Sequence, residues 1–165
     1  MTTLARSERS AIDGAVGLAI FLGATTMLFA AMFLAYAVLR AQAPSWPPAG
    51  APPFPRLAAG LNGLLLVGAS VALSRGRRWP AVFLGGAFLA AQIVLWRHLV
   101  ATRLGPGAGL LGDAFLALSA FHAVHVAGGL VALLVARDGR LRLAAGYWHF
   151  VLAIWAVIYL AVCVL

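Results

Sequence analysis

Three of the four histidines in this chain of 165 residues, His122, His125 and His149, lie inside apolar runs. An imidazole in such a place can ligate a metal or a haem, relay a proton, or bond to a neighbouring helix. His122 and His125 are three apart and project from one side of a helix. With His149 they form the nearest thing in the chain to a ligand set. No acid stands within an apolar run to complete it, because Asp113 and Asp138 lie at the ends of such runs, and no conventional haem pair is seen. The plainer expectation is a polar cluster of His122, His125, Trp148 and His149 between the fourth and fifth helices. It would hold the helix pair together or grip a lipid headgroup. His98, beside Arg97 at the end of a run, reads as interfacial.

The remaining charge is almost wholly arginine. Twelve basic residues, all Arg, face four acids, for a net charge of +8. The arginines stand singly or in threes at the ends of apolar runs, which marks membrane interfaces rather than a nucleic-acid surface. Arg40, Arg56, Arg97 and Arg103 are candidate lipid-phosphate contacts. A proton pump or channel needs titratable groups in series across the membrane, and this chain lacks them. The lone Cys163 can form no internal disulfide. The first apolar run is too long for a signal peptide and is expected to stay in the membrane.

Side chains of this kind are positioned by elements that lipid can solvate. Hydrophobic residues make up 64% of the chain, charged residues only 10%, and the mean hydropathy is +0.99. A soluble domain carries roughly 25% charged residues, and a spanning helix needs about 20 apolar ones. Five apolar runs predict helices over about 12–39, 57–74, 80–100, 112–136 and 143–165. The expected fold is an all-α integral membrane bundle of five transmembrane helices, a single membrane domain over 1–165. Asp13 and Asp113 are placed to cap the first and fourth helices. Pro80 suits the first turn of the third. Residues 43–55 hold six of the eight prolines and should form an extended loop, with Trp46 and Phe54 as interfacial anchors. Short basic turns are expected at 75–78 and 137–140, and a breaker at 105–107.

Eight arginines fall on the side of the N-terminus and four on the other. The positive-inside rule then predicts a cytoplasmic N-terminus and a periplasmic C-terminus. No internal repeat is seen, which argues against a transporter built of inverted halves. Small residues abound: Gly14, Gly17 and Gly23 in the first helix, Gly60, Gly63 and Gly68 in the second, Ala127, Gly128 and Gly129 in the fourth. They read as close helix–helix approaches. Asn62, Gln92, Thr25 and Thr26 are candidate hydrogen-bonding groups between helices.

Several runs resemble cytochrome c oxidase subunit III. Residues 121–126, FHAVHV, are similar to that family's FHGLHV, and residues 147–151, YWHFV, with Trp155, to its YWHFVDxxW. Residues 21–40 resemble its SEVMLFAALFFAYF-like helix. Trp46-Pro47-Pro48, Leu61-Asn62 and Gln92 match its WPPPG loop, an LN helix and a glutamine of the next helix. The runs keep the family's order and spacing over roughly residues 16 to 165. The family commonly has seven helices, so the resemblance implies a short form lacking the first two, one arm of a V-shaped, lipid-filled cleft. Thr25, Leu152 and Arg142 stand where the family has acids, and acid-dependent roles do not carry over to them.

The resemblance implies a non-catalytic membrane subunit of a haem–copper terminal oxidase, which reduces O2 to water and pumps protons in aerobic respiration. The electron donor would be cytochrome c or quinol. It implies no cofactor in this chain, with haem and copper in partner subunits, and a structural phospholipid. The implied neighbours are catalytic subunit I and, as a further candidate, subunit II, in a bacterial inner membrane. Two rivals remain: a subunit-III-like accessory protein of a nitric oxide reductase, and a stand-alone membrane redox protein using His122, His125 and His149.

Overall fold

The computed structural model describes residues 2–46, 52–107, 109–136 and 141–164, with side chains from Ile12 onward. The helices are α1 (Thr2–Gln42), α2 (Arg56–Ser74), α3 (Arg78–Ala101), α4 (Leu110–Val135) and α5 (Leu141–Ile158). The last continues as a π-helical segment, Tyr159–Val164. All five helices are long and apolar enough to cross a membrane. Pro47 and Pro48 of the proline-rich loop and the turn at 137–140 lie outside the described residues, as do the side chains of Arg6 and Arg9.

The first helix starts about ten residues earlier than its apolar run. No Gly or Pro stands between Thr2 and Asp13 to stop it. Asp13 is therefore mid-helix and exposed, and it caps nothing. Asp113 is not the cap of α4 either. Gly109 holds that position, while a carboxylate oxygen of Asp113 accepts the Gly107 N–H at 2.7 Å. It ties the preceding loop to the first turn of the helix.

Two turns explain themselves by backbone bonding. After α2, the Arg77 N–H donates to the Ala72 carbonyl and the Gly76 N–H to that of Leu73, both at 2.8 Å. Gly76 takes φ +70°, as a C-terminal cap of this kind requires. After α3, the Leu104 N–H reaches the Leu99 carbonyl at 2.8 Å and the Arg103 N–H that of Val100 at 3.3 Å. Here the left-handed position falls on Arg103, at φ +59°.

The core is organised by α5. Its aromatic side chains enter gaps left by glycines on three other helices. A methyl at Gly85 of α3 would lie 2.5 Å from Trp148 Cη2, and one at Gly63 of α2 would lie 2.5 Å from Trp155 Nε1. At Gly129 of α4 it would meet Tyr147 at 2.9 Å, and at Gly60 of α2 the Tyr159 hydroxyl at 2.9 Å. Apolar burial gives helices little drive to associate in lipid, so close packing of this sort has to supply it. The glycines of α1 do not share this role. Gly17 and Gly23 have nothing within 4 Å, and only Gly14 approaches a neighbour, Leu143.

Among the described residues, helix α1 packs on α4 and on α5 with its π-helical extension. Its inward stripe includes Thr25, Phe29 and Tyr36, all buried. Outward, the bundle carries large apolar side chains such as Met27 and Phe83, each 76% exposed. Water would not support such a surface, and lipid or a neighbouring chain has to cover it.

The arginines divide between two ends. Arg40, on α1, donates to the Ala161 carbonyl at 3.3 Å and so meets the far end of the fifth span. Arg56 opens α2, and Arg97 and Arg103 close α3, all at that end. Arg75, Arg77, Arg78 and Arg142 lie at the other, where Arg78 donates to the Ala136 carbonyl at 2.8 Å.

Candidate functional site

His122 is wholly buried, and its ring is boxed by aromatic neighbours from three helices. Trp155 lies at 5.4 Å between ring centroids, Phe88 at 5.8 Å edge-on, and Phe29 at 6.4 Å. Neither ring nitrogen has a hydrogen-bond partner. The imidazole acts here as one more ring in an aromatic layer that joins α1, α3, α4 and α5.

His125, one turn on, faces α1. Its Nδ1 is bonded to the Phe121 carbonyl at 2.8 Å, and its ring packs on Phe121 at 4.7 Å and Phe29 at 5.4 Å. The Tyr147 hydroxyl donates to the backbone carbonyl of His125 at 2.8 Å, which pins α5 to α4. Trp148 is fully buried between Gly85 and Gly129, with its Nε1 unpartnered.

His149 turns the other way. Successive residues of a helix point about 100° apart, so a neighbour of buried Trp148 cannot share its direction. Nδ1 of His149 hydrogen-bonds to the Ser70 hydroxyl, and Nε2 lies 3.5 Å from that of Ser74, both on α2. The expected single cluster between α4 and α5 is therefore corrected. His122 and Trp148 are buried inside the bundle and His125 is partly buried against α1, while His149 is exposed and belongs to the α2–α5 seam. Among the described residues no group of three or more His, Cys, Asp or Glu side chains converges as a metal site would require.

Asn62 and Gln92, each a candidate for bonding between helices, meet one another. Asn62 Nδ2 donates to Gln92 Oε1 at 2.9 Å, buried between α2 and α3. Asn62 Oδ1 and Gln92 Nε2 have no partner. Gly129 is a packing position, but Gly128 is exposed and lines a cavity instead. Thr26 bonds its own helix, at the Leu22 carbonyl 2.7 Å away, and joins no second one.

Of the four arginines expected to meet lipid phosphate, Arg40 is engaged by protein. Besides bonding Ala161, where the Tyr36 hydroxyl also donates at 3.2 Å, its guanidinium lies 4.8 Å from the Trp46 ring centroid. Trp46 and Phe54 fold back onto the bundle, Trp46 edge-on to Tyr36 at 5.9 Å and Phe54 edge-on to Phe115 at 4.9 Å. Arg56, Arg97 and Arg103 are exposed, and Arg97 borders a shallow cavity beside Trp96 and Val100.

Two hollows matter more. One of about 530 Å³ opens between α1, α4 and α5, lined by Leu18, Phe21, Gly128, Ala132, Leu143 and Tyr147 among others. Its walls are mostly apolar. The other, of about 440 Å³, lies at the end of the α2–α3 turn, against the first turns of α5. It is bordered by Ser74, Arg78, Arg142 and His149. Sequence reasoning missed this second hollow and the two serines. The available signal was the spacing of Arg142, Gly146 and His149 on one face of α5, with Ser70 and Ser74 one turn apart on α2.

No family model matches the chain. It is similar to several proteins along most of its length. A protein of Nocardia farcinica named as a probable cytochrome c oxidase subunit 3 is 31% identical, over 85% of this chain and 82% of its own length. The cytochrome c oxidase subunit 3 of Synechocystis sp. is 29% identical, over 88% of this chain and 73% of its own. That of Corynebacterium diphtheriae is 28% identical, over 89% and 85% respectively.

Proposed function

The chain belongs to the cytochrome c oxidase subunit 3 family, and on that premise we propose that it is a non-catalytic membrane subunit of a haem–copper terminal oxidase. In this reading it docks on the catalytic subunit I, with subunit II as a further neighbour, and its own polar groups hold the bundle in shape. The observation that supports it most is where the motif residues go. His122, Trp148, Asn62 and Gln92 are all spent inside the bundle, on aromatic packing or on one another. Haem and copper would then reside in partner subunits.

The apolar hollow between α1, α4 and α5 is the proposed place for a structural phospholipid's acyl chain. By the positive-inside rule, the end bearing Arg75, Arg77, Arg78 and Arg142 faces the cytoplasm of a bacterial cell. The outward apolar surface is divided between lipid and the catalytic partner.

Co-purification tests this reading. The tagged full chain, drawn from native membranes in mild detergent, should carry a partner with the optical spectrum of a haem–copper centre. A partner with haem and non-haem iron would assign the chain to a nitric oxide reductase instead. Recovery with neither would end the proposal.

A further inference from the structure

The hollow of about 440 Å³ at the basic end of the bundle has the chemistry of an anion site. We propose that it binds a phosphate-bearing anion, either the headgroup of an anionic phospholipid or free phosphate, held between Arg78 and Arg142 with Ser74 and His149 beneath. This goes beyond the subunit role argued above and does not depend on it.

The two guanidiniums come from different helices, α3 and α5, and border the same space. Arginine matches phosphate geometry because its planar fork can bond two oxygens at once. Arg78 is held in place by its bond to the Ala136 carbonyl and lies 5.4 Å from the Trp79 ring centroid. A guanidinium has five donors, so that bond leaves capacity for an oxyanion. His149, whose ring nitrogens meet the Ser70 and Ser74 hydroxyls, and Ser74, whose hydroxyl donates to the Ser70 carbonyl at 3.1 Å, form a fixed floor to the same hollow.

Among the described residues the charges at the site are all positive. Neither Asp13 nor Asp113, the described acids, borders it. Arg75 and Arg77, in the adjoining turn, add to the positive field. The hollow also lies at the right depth. Ser74 ends α2, Arg78 opens α3 and Arg142 stands in the first turn of α5, so the site falls where spanning helices reach the headgroup layer.

The test uses the full chain in its native complex, placed in nanodiscs of phosphatidylcholine with or without phosphatidylglycerol. Melting temperature and phosphatidylglycerol retained in native mass spectra are read, and inorganic phosphate is titrated separately. Wild type should gain stability with phosphatidylglycerol and retain it. Arg142→Gln should bind it roughly tenfold more weakly, since a charge-assisted contact is lost, and Arg142→Lys should recover part of the affinity. His98→Gln, at the opposite end, should leave binding unchanged. If phosphatidylglycerol has no effect but inorganic phosphate protects wild type and not Arg142→Gln, the site holds and its ligand is free phosphate. Should Arg142→Gln fail to assemble, Arg142→Lys, which keeps the charge but loses the planar fork, carries the same comparison. Equal responses in wild type and the cavity variants, a loss in His98→Gln as large as in Arg142→Gln, or no response to either ligand would overturn the proposal.

Discussion

At Gly85 a methyl group would sit 2.5 Å from Trp148 Cη2 and 2.9 Å from Leu130 Cδ2, so there is no room for a side chain. Gly85→Val should therefore destabilise the bundle by about 1–3 kcal/mol or more, as overpacking does. Gly17 has nothing within 4 Å, and Gly17→Ala should stabilise α1 by up to about 1 kcal/mol through helix propensity alone. Thermal melts of the two variants in detergent, side by side, check the contrast. The buried Asn62–Gln92 bond gives a second residue-scale prediction. Asn62→Leu and Gln92→Leu should each destabilise, because each strands a polar partner. The double variant should cost less than the sum, with a coupling of roughly 0.6–1.7 kcal/mol in a double-mutant cycle. At this scale the sequence was readable where a polar residue stood alone in an apolar run. Asn62 and Gln92 found each other, and His122 went to the interior. The direction of His149 was not readable, because adjacent residues diverge around a helix and only the packing of Trp148 fixes which one points inward. The role of Gly128 was likewise set by a neighbour, the space beside Tyr147, rather than by its type.

The elements follow from the apolar runs, and their ends from backbone chemistry. The turn after α3 places Arg103 at φ +59°, where a residue with a Cβ is strained. The same motif after α2 uses Gly76. Arg103→Gly should thus stabilise the turn by roughly 0.5–1 kcal/mol, seen as a higher melting temperature with unchanged helix content. Element boundaries were legible to a few residues for α2, α3 and α4, since glycine and proline punctuate the chain there. The start of α1 was not, because polar residues at 2–10 are as able to continue a helix as to precede one. Nor did the sequence announce the π-helical segment at Tyr159–Val164, where the Ala161 carbonyl receives both Tyr36 and Arg40 from α1. No spacing rule encodes that meeting of two helices a hundred residues apart.

Over the whole molecule, α5 packs on α2 and α4 and reaches α3 through Trp148 at Gly85, and α1 rests on one flank against α4 and α5. That arrangement leaves a broad apolar exterior for lipid and for a neighbour. The family's motifs were legible because they run in order through the chain; their structural use became clear only when α5 was seen filling glycine gaps on three helices. Orientation is a whole-molecule prediction. With Cys163 replaced by serine, a cysteine at position 103 should react with an impermeant maleimide in spheroplasts, and one at position 76 should not. The reverse pattern would invert the assigned topology.

On the proposed function, this chain supports a redox partner and performs no redox chemistry itself. Haem, iron and copper content, measured after the native complex is separated into this chain and its catalytic partner, tests it most directly. All of the haem and metal should travel with the partner while this chain stays helical and colourless. A haem or a stoichiometric metal ion remaining on this chain, and lost in His122→Phe or His149→Ala, would contradict it.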